Sequence, residues 1–283
     1  HTFDPKYDEV HKIVAPLLLS SMNCTGVIHK LRLQKSESEV VRIRTACQAT
    51  AVAMAECMKS SRTIPDCTEK MLAACVQFQI ARMGAECCSF DSIVATDDHA
   101  MTLHHTPTHA RIGERVLMDI GAHVENYAAD MTRTWSVTDR EDSRFSWMQK
   151  AVEMAQTAAI AECVPGSTHA RIERAARRVL AEHCKRHGFS PHCPHLISHW
   201  VGLDVHDVGS MDTPFAHNMT VAVEPGLYID GIGVRVEDTV RIDHTPEILT
   251  VMPAIPASVR ADQLCISFET LTLNQIMSPW SSS

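Results

Sequence analysis

Four carboxylates stand out for where they fall. LMDIGAHVENYAADMTRT carries Asp119 and Asp130, and VAVEPGLYIDGIGVRVED carries Glu224 and Glu237. Both segments read as strand–turn–strand, with turns at Glu125-Asn126 and Asp230-Gly231. A hairpin lays its strands about 5 Å apart, so acids distant in sequence become neighbours. In VLMDIGA, alternation puts Asp119 on a face with Leu117, while Val116, Met118 and Ile120 point the other way. Asp119 is therefore an ionisable group in a stretch that otherwise reads as buried, and Glu224 in TVAVEP is another. A buried carboxylate needs a partner. Arg133 and Arg235 are available, so a plain ion pair is open for any single acid. Four acids in two matching hairpins would repel one another unless cations sit between them.

His195 and His199 lie four apart in PHLISHWVGLDVHDVG, and His206 follows. The H-E-x-x-H signature of helical zinc proteases is absent. Trp200, Val201, Leu203 and Val205 suggest strand rather than helix. A lone histidine is usually structural, but three beside four buried acids point to function. The set Asp119, Asp130, His199, Glu224 and Glu237 is rich in oxygen with one imidazole. It suits two divalent ions, manganese first, with cobalt, iron or zinc as alternatives. Two dications balance four carboxylates, and a hydroxide bridging them is a nucleophile at neutral pH.

The elements that must position these residues come in a repeated order. Residues 36–60 have helical apolar spacing behind Ser36, Ser38 and Glu39. A second helix follows Pro65, capped by Asp66 or Thr68, and runs to about Met83, where Gly84 stops it. Strand-like pieces follow: SFDSIVA, MTLHH, RVLMDIGAHV and YAADMTRTWSV. Helices are then expected over 144–162 and 168–187, followed by the strands HWVGLDV, MTVAVEPGLYI and GVRVEDTVRI. Helix, helix, strands occurs twice, which predicts two halves facing each other with a site at their interface. A short helical patch is expected over 7–19. Residues after 255 carry no periodic signal.

At these residues the chain resembles the pita-bread metallopeptidases (M24), the family of methionine aminopeptidase, aminopeptidase P and prolidase. The resemblance runs over residues 31–253 and rests on LRLQKS, TLHH, LMDIGA, YAADMTRTW, SHWVGLDVHDVG, TVAVEPGLY and GIGVRVED. It implies an α+β fold of two pseudo-symmetric helix-helix-strand halves around a curved antiparallel sheet. It divides the chain into a lead-in over 1–30, a catalytic domain over 31–255 and a tail over 256–283. It implies Asp119, Asp130, His199, Glu224 and Glu237 as metal ligands, with Asp130 and Glu237 bridging. Glu224 would also take a proton from water. By the same resemblance His104, His195 and His206 contact substrate, and Arg235 helps hold a proton network.

SHWVGLDVHDVG and DMTRTW look most like aminopeptidase P, which implies a Xaa-Pro aminopeptidase acting on proline-containing peptides. The alternatives are prolidase, which takes X-Pro dipeptides, and a catalytically silent binding module on the same fold. The chain departs from the family's pattern at Leu196, where glycine is usual, and at His105, where tyrosine is usual. The link between Glu224 and Glu237 is short, and the N-terminal domain usual in aminopeptidase P is nearly absent. That domain supports dimers in the family, so a homodimer is left open.

Bulk composition agrees with an enzyme core. The 283 residues are 45% hydrophobic and 21% charged, the balance of a globular chain. A net charge of -8 gives no electrostatic support for nucleic acid or a membrane surface. No run of 18 apolar residues suggests a span. The 11 cysteines form no C-x-x-C pair and read as reduced, which predicts a cytoplasmic protein. The chain opens at His1, so a removed targeting segment stays open.

Overall fold

The structure is a computed structural model that describes residues 24–140 and 142–252. The helical patch expected over 7–19 and the tail lie outside the described residues. Helix α1 spans Thr25–Leu33, α2 Glu37–Thr63, α3 Glu69–Arg82, α4 Ser143–Ile160 and α5 His169–Arg186. Helix α2 starts in a capping box: the Ser36 hydroxyl accepts from the Glu39 amide, and the Glu39 carboxylate accepts from the Ser36 amide. It runs three residues beyond the expected 36–60. Thr68 caps α3, and Gly84 takes the positive φ that ends it.

In the first half, β2 (Ile93–Thr96), β3 (Arg115–Ile120) and β6 (Met131–Ser136) form one antiparallel ladder. The short strands β1 (Cys87–Cys88), β4 (Ala122–Val124) and β5 (Tyr127–Ala128) form a second. In the second half, β7 (Ser198–Trp200), β8 (Thr220–Val223), β11 (Asp238–Arg241) and β12 (Glu247–Ile248) form a third, and β9 (Gly226–Ile229) pairs with β10 (Ile232–Arg235). Both predicted turns carry two residues at positive φ, Glu125-Asn126 and Asp230-Gly231, the backbone a tight hairpin demands.

Each half has its own apolar core. Val116, Met118 and Ile120 of β3 pack with Met54, Leu72 and Ile80 of α2 and α3. Val221, Val223 and Val240 pack with Met148, Val152, Ile172 and Leu180 of α4 and α5. One face of each sheet is thus spent on helices. The opposite face of β3 carries Leu117 and Asp119, and Leu117 clusters with Tyr228 of the other half. The halves are stitched where β6 meets β10: the Thr134 hydroxyl donates to the Arg235 carbonyl and accepts from its amide. The Glu237 amide donates to the Thr132 carbonyl.

Two expected strands are corrected. MTLHH is not a strand: a 3-10 turn covers Asp97–Met101 and irregular chain follows. HWVGLDV is strand only through Trp200. Beyond it the chain turns so that Asp207 meets Lys35 and Arg32, 172 and 175 residues away. Lys35 is buried against that carboxylate, which explains the cationic pair in LRLQKS. The ten cysteines among the described residues are all free thiols.

Glu69, the first residue of α3, is fully buried. Its carboxylate accepts from the Thr96 and Thr108 amides, the Thr108 hydroxyl and the rings of His99 and His105. Burial alone would raise its pKa; the donors of His105, Thr96, Thr108 and His99 overcome this and bring it from 4.5 to about 2. A depressed carboxyl stabilises the fold fully above its unfolded value and loses that contribution as pH falls toward the folded one. Glu69→Gln should therefore cost about 1–3 kcal/mol at pH 6. In urea melts the gap from the unaltered chain should narrow between pH 4.5 and 3. A gap that stays constant with pH would show that the charge of Glu69 is irrelevant.

Candidate metal centre

The four acids and His199 meet on the sheet face away from the helices. Their strands are interrupted there. Asp119 lies on β3 opposite Thr132, and Asp130 stands one residue before β6 rather than on it. Glu224 falls between β8 and β9, and Glu237 between β10 and β11. The breaks do not leave the backbone unpaired. The Asp130 amide donates to the Thr239 hydroxyl, and the Glu224 amide to the Ile197 carbonyl.

His199 sits at the centre. Its Nδ1 donates to the Trp200 carbonyl at 3.0 Å, which turns Nε2 toward the acids. Nε2 lies 3.4 Å from Asp130 Oδ2, 3.6 Å from Glu224 Oε1 and 3.7 Å from Glu237 Oε1. Donor atoms of Asp130, His199 and Glu237 all lie within 4.8 Å of one another. Asp119 Oδ1 and Asp130 Oδ1 are buried without any hydrogen-bond partner. A buried carboxylate oxygen left bare is costly, and a cation is the natural occupant of such a gap.

One arginine enters the cluster. Arg235 donates to Asp119 Oδ2 at 2.7 Å, to the Tyr228 hydroxyl at 2.8 Å and to Thr132 Oγ1 at 3.2 Å. Thr132 in turn donates to Glu237 Oε2 at 2.7 Å. Arg133, the other candidate partner, is taken by Asp238 at 2.7 Å. A single guanidinium therefore faces four acids.

The protonation pattern records the imbalance. Burial, with Glu237 next, pushes Asp119 and Asp130 up. The same causes raise Glu224 to about 8. Glu237 is also raised by burial, but His199, Arg235 and Thr132 outweigh this and hold it low. Without cations, protons stand in for part of the missing positive charge.

A cavity of about 380 Å³ opens over the cluster, with Leu103, His104, His195, Leu196 and His206 in its wall. His195 Nδ1 donates to the Leu196 carbonyl at 2.8 Å and lies 3.5 Å from Glu224. Its Nε2 accepts from the Tyr228 hydroxyl at 3.1 Å. Burial lowers the His195 pKa to about 4, so the ring is neutral. His206 stands edge-on to His199, centroids 4.4 Å apart. Leu196 is largely exposed on the rim.

All nine residues picked from the sequence thus line this one cavity. Tyr228, Thr132 and Leu103 were missed. Tyr228 and Thr132 are neutral residues in strands, and only the fold shows whom they bind. His105 turns away from the cavity to Glu69.

The fold is of the pita-bread type, with the oxygen-rich cluster at the meeting of its two halves. The sequence profile described as metallopeptidase family M24 matches residues 41–244, and the chain belongs to that family. It is 32% identical over 252 residues to Xaa-Pro aminopeptidase 3 of Mus musculus, covering 79% of this chain and 49% of that protein. It is 33% identical over 227 residues to a Xaa-Pro dipeptidase of Pyrococcus horikoshii, covering 76% of this chain and 62% of the relative. The chain therefore spans about half to three-fifths of these relatives. The solved structure of Pseudomonas aeruginosa aminopeptidase PepP superposes with a TM-score of 0.76 at 28% identity, covering 87% of this chain and 63% of that one. Family membership implies divalent metal and a hydrolase. Among the described residues no helix is long and apolar enough to cross a membrane.

Proposed function

We propose that residues 31–255 form the catalytic domain of a metal-dependent Xaa-Pro aminopeptidase. The observation that carries this reading is the convergence of four acids and His199 around two bare carboxylate oxygens, with one arginine among them. Asp119, Asp130, His199, Glu224 and Glu237 would hold two divalent ions. Manganese is our choice for this oxygen-rich set. When bound, the ions polarise the scissile carbonyl and bring water into its nucleophilic form at neutral pH.

The chain supplies the rest. Glu224 takes a proton from the attacking water and returns it to the proline nitrogen as the C–N bond breaks. Arg235, directly and through Thr132, orients Asp119 and Glu237 and helps hold Glu237 ionised. Neutral His195, with its Nδ1 toward Leu196 and Glu224, stands with His104 and His206 to contact substrate. An X–Pro bond offers no N–H to a strand-binding protease, so recognition falls to the cavity wall.

The two similarities of 32% and 33% keep X-Pro dipeptidase as a second reading. Manganese-loaded protein should release arginine from Arg-Pro-Pro faster than glycine from Gly-Pro. Refusal of the tripeptide with cleavage of Gly-Pro would establish the dipeptidase reading instead. Cleavage of neither would end both.

A further inference from the structure

We propose that Glu69 is a positioning residue for this reaction, its buried carboxylate fixing the segment that holds His104 over the acid cluster. The inference rests on the peptidase reading above. The segment leaves β2 at Thr96 and rejoins ordered backbone at Thr108, where the Lys70 amide donates to the Thr108 carbonyl and the Glu69 amide to that of Ala110. Among the described residues, apart from the backbone bonds of the 3-10 turn itself, the hydrogen bonds that leave 98–107 are those of His99 and His105 to Glu69. His99 Nδ1 donates to one carboxylate oxygen at 2.7 Å, and His105 Nε2 to the other at 2.9 Å. The amides of Thr96 and Thr108 tie both ends of the segment to the same group, each at 2.9 Å. One carboxylate thus gathers five donors spanning the loop.

His104 is the residue next to the His105 anchor. It lines the cavity, and its ring makes no hydrogen bond to any described residue. With no hydrogen bond to hold the ring, its place follows the course of its backbone, which Glu69 ties on one side at His105 and the packing of Leu103 with Leu117 and Tyr228 holds on the other. Packing against the second half supports the fixed course: a side chain at Gly233 would meet the Ala100 carbonyl at 2.5 Å. A group displaced by about 1 Å from its working position can cost on the order of a hundredfold in rate. Gln in place of Glu69 keeps the shape but turns an acceptor into a donor facing other donors.

The test is a double-mutant cycle on Arg-Pro-Pro hydrolysis with manganese content checked in each variant. Glu69→Gln should lower kcat/KM by about 10- to 100-fold with metal content unchanged. In a His104→Ala background the same change should cost less than about twofold, because the effect runs through His104. In zinc-loaded protein, the His104 ring resonance should shift in Glu69→Gln. Should Glu69→Gln fold poorly, Thr108→Val removes one donor and carries the same cycle with a loss of roughly three- to tenfold.

An equal loss in both backgrounds overturns the proposal, as does an unmoved His104 resonance. A wild-type chain that cleaves no X-Pro peptide sinks the peptidase reading instead. The resonance then still decides whether Glu69 sets His104.

Discussion

Glu237→Gln is expected to lower kcat/KM for an X-Pro peptide by about 10³-fold or more, the rate equivalent of several kcal/mol of metal-supplied stabilisation. Glu237 is the most buried acid of the cluster, at 1% exposure. One of its oxygens faces His199 and the other is held by Thr132. Its charge is also the strongest repulsion felt by Asp119, Asp130 and Glu224. Neutralising it removes a proposed ligand and relieves its neighbours, so the variant should fold while binding fewer than two ions. Elemental analysis and circular dichroism on one preparation check both halves of the expectation. A variant that keeps two ions and a rate within tenfold would refute the ligand assignment.

Stripping the ions should lower the melting temperature by roughly 8–16 °C. A ligand at about a thousand times its dissociation constant contributes about 4 kcal/mol. For a domain of this size, each kcal/mol moves the midpoint by about 2–4 °C. The gain should depend on pH with a definite sign. Glu224 has its pKa raised to about 8. Between its ordinary value of 4.5 and about 8 the metal-free fold holds a proton that the unfolded chain has released. The metal-free fold therefore weakens as pH rises through that window, while the ions compete with fewer protons. The melting shift on adding manganese should be larger at pH 8 than at pH 6. Equal shifts at the two values would mean that the ions do not displace these protons.

The acid cluster was legible because local pattern and chemistry agreed there. Asp119 broke the apolar alternation of β3, and the turn residues at 125–126 and 230–231 named the hairpins that bring the acids together. The His104 segment was not legible. Met, Leu and two histidines read locally as strand, but the Asp97 carboxylate accepts from the Glu114 and Arg115 amides, and Glu69 captures His99 and His105. Both ties span 17 residues or more, beyond any local window. HWVGLDV failed as a strand for a similar reason. A residue with a side chain at Gly202 would strike Asp207 at 2.0 Å, and Asp207 is committed to Lys35 and Arg32. Charges remote in sequence outweighed strand propensity.

The stitch between β6 and β10 sets an order of events during synthesis. Arg235 reaches Asp119 across 116 residues, and Thr134 waits 101 residues for the backbone of Arg235. At a ribosomal pace of about 5–20 residues per second, the first hairpin spends several seconds without its counterpart. Throughout that interval the nascent half presents Asp119 without Arg235, the guanidinium that binds it in the finished fold. A chain released short of Arg235 would carry Asp119 with that partner missing for good.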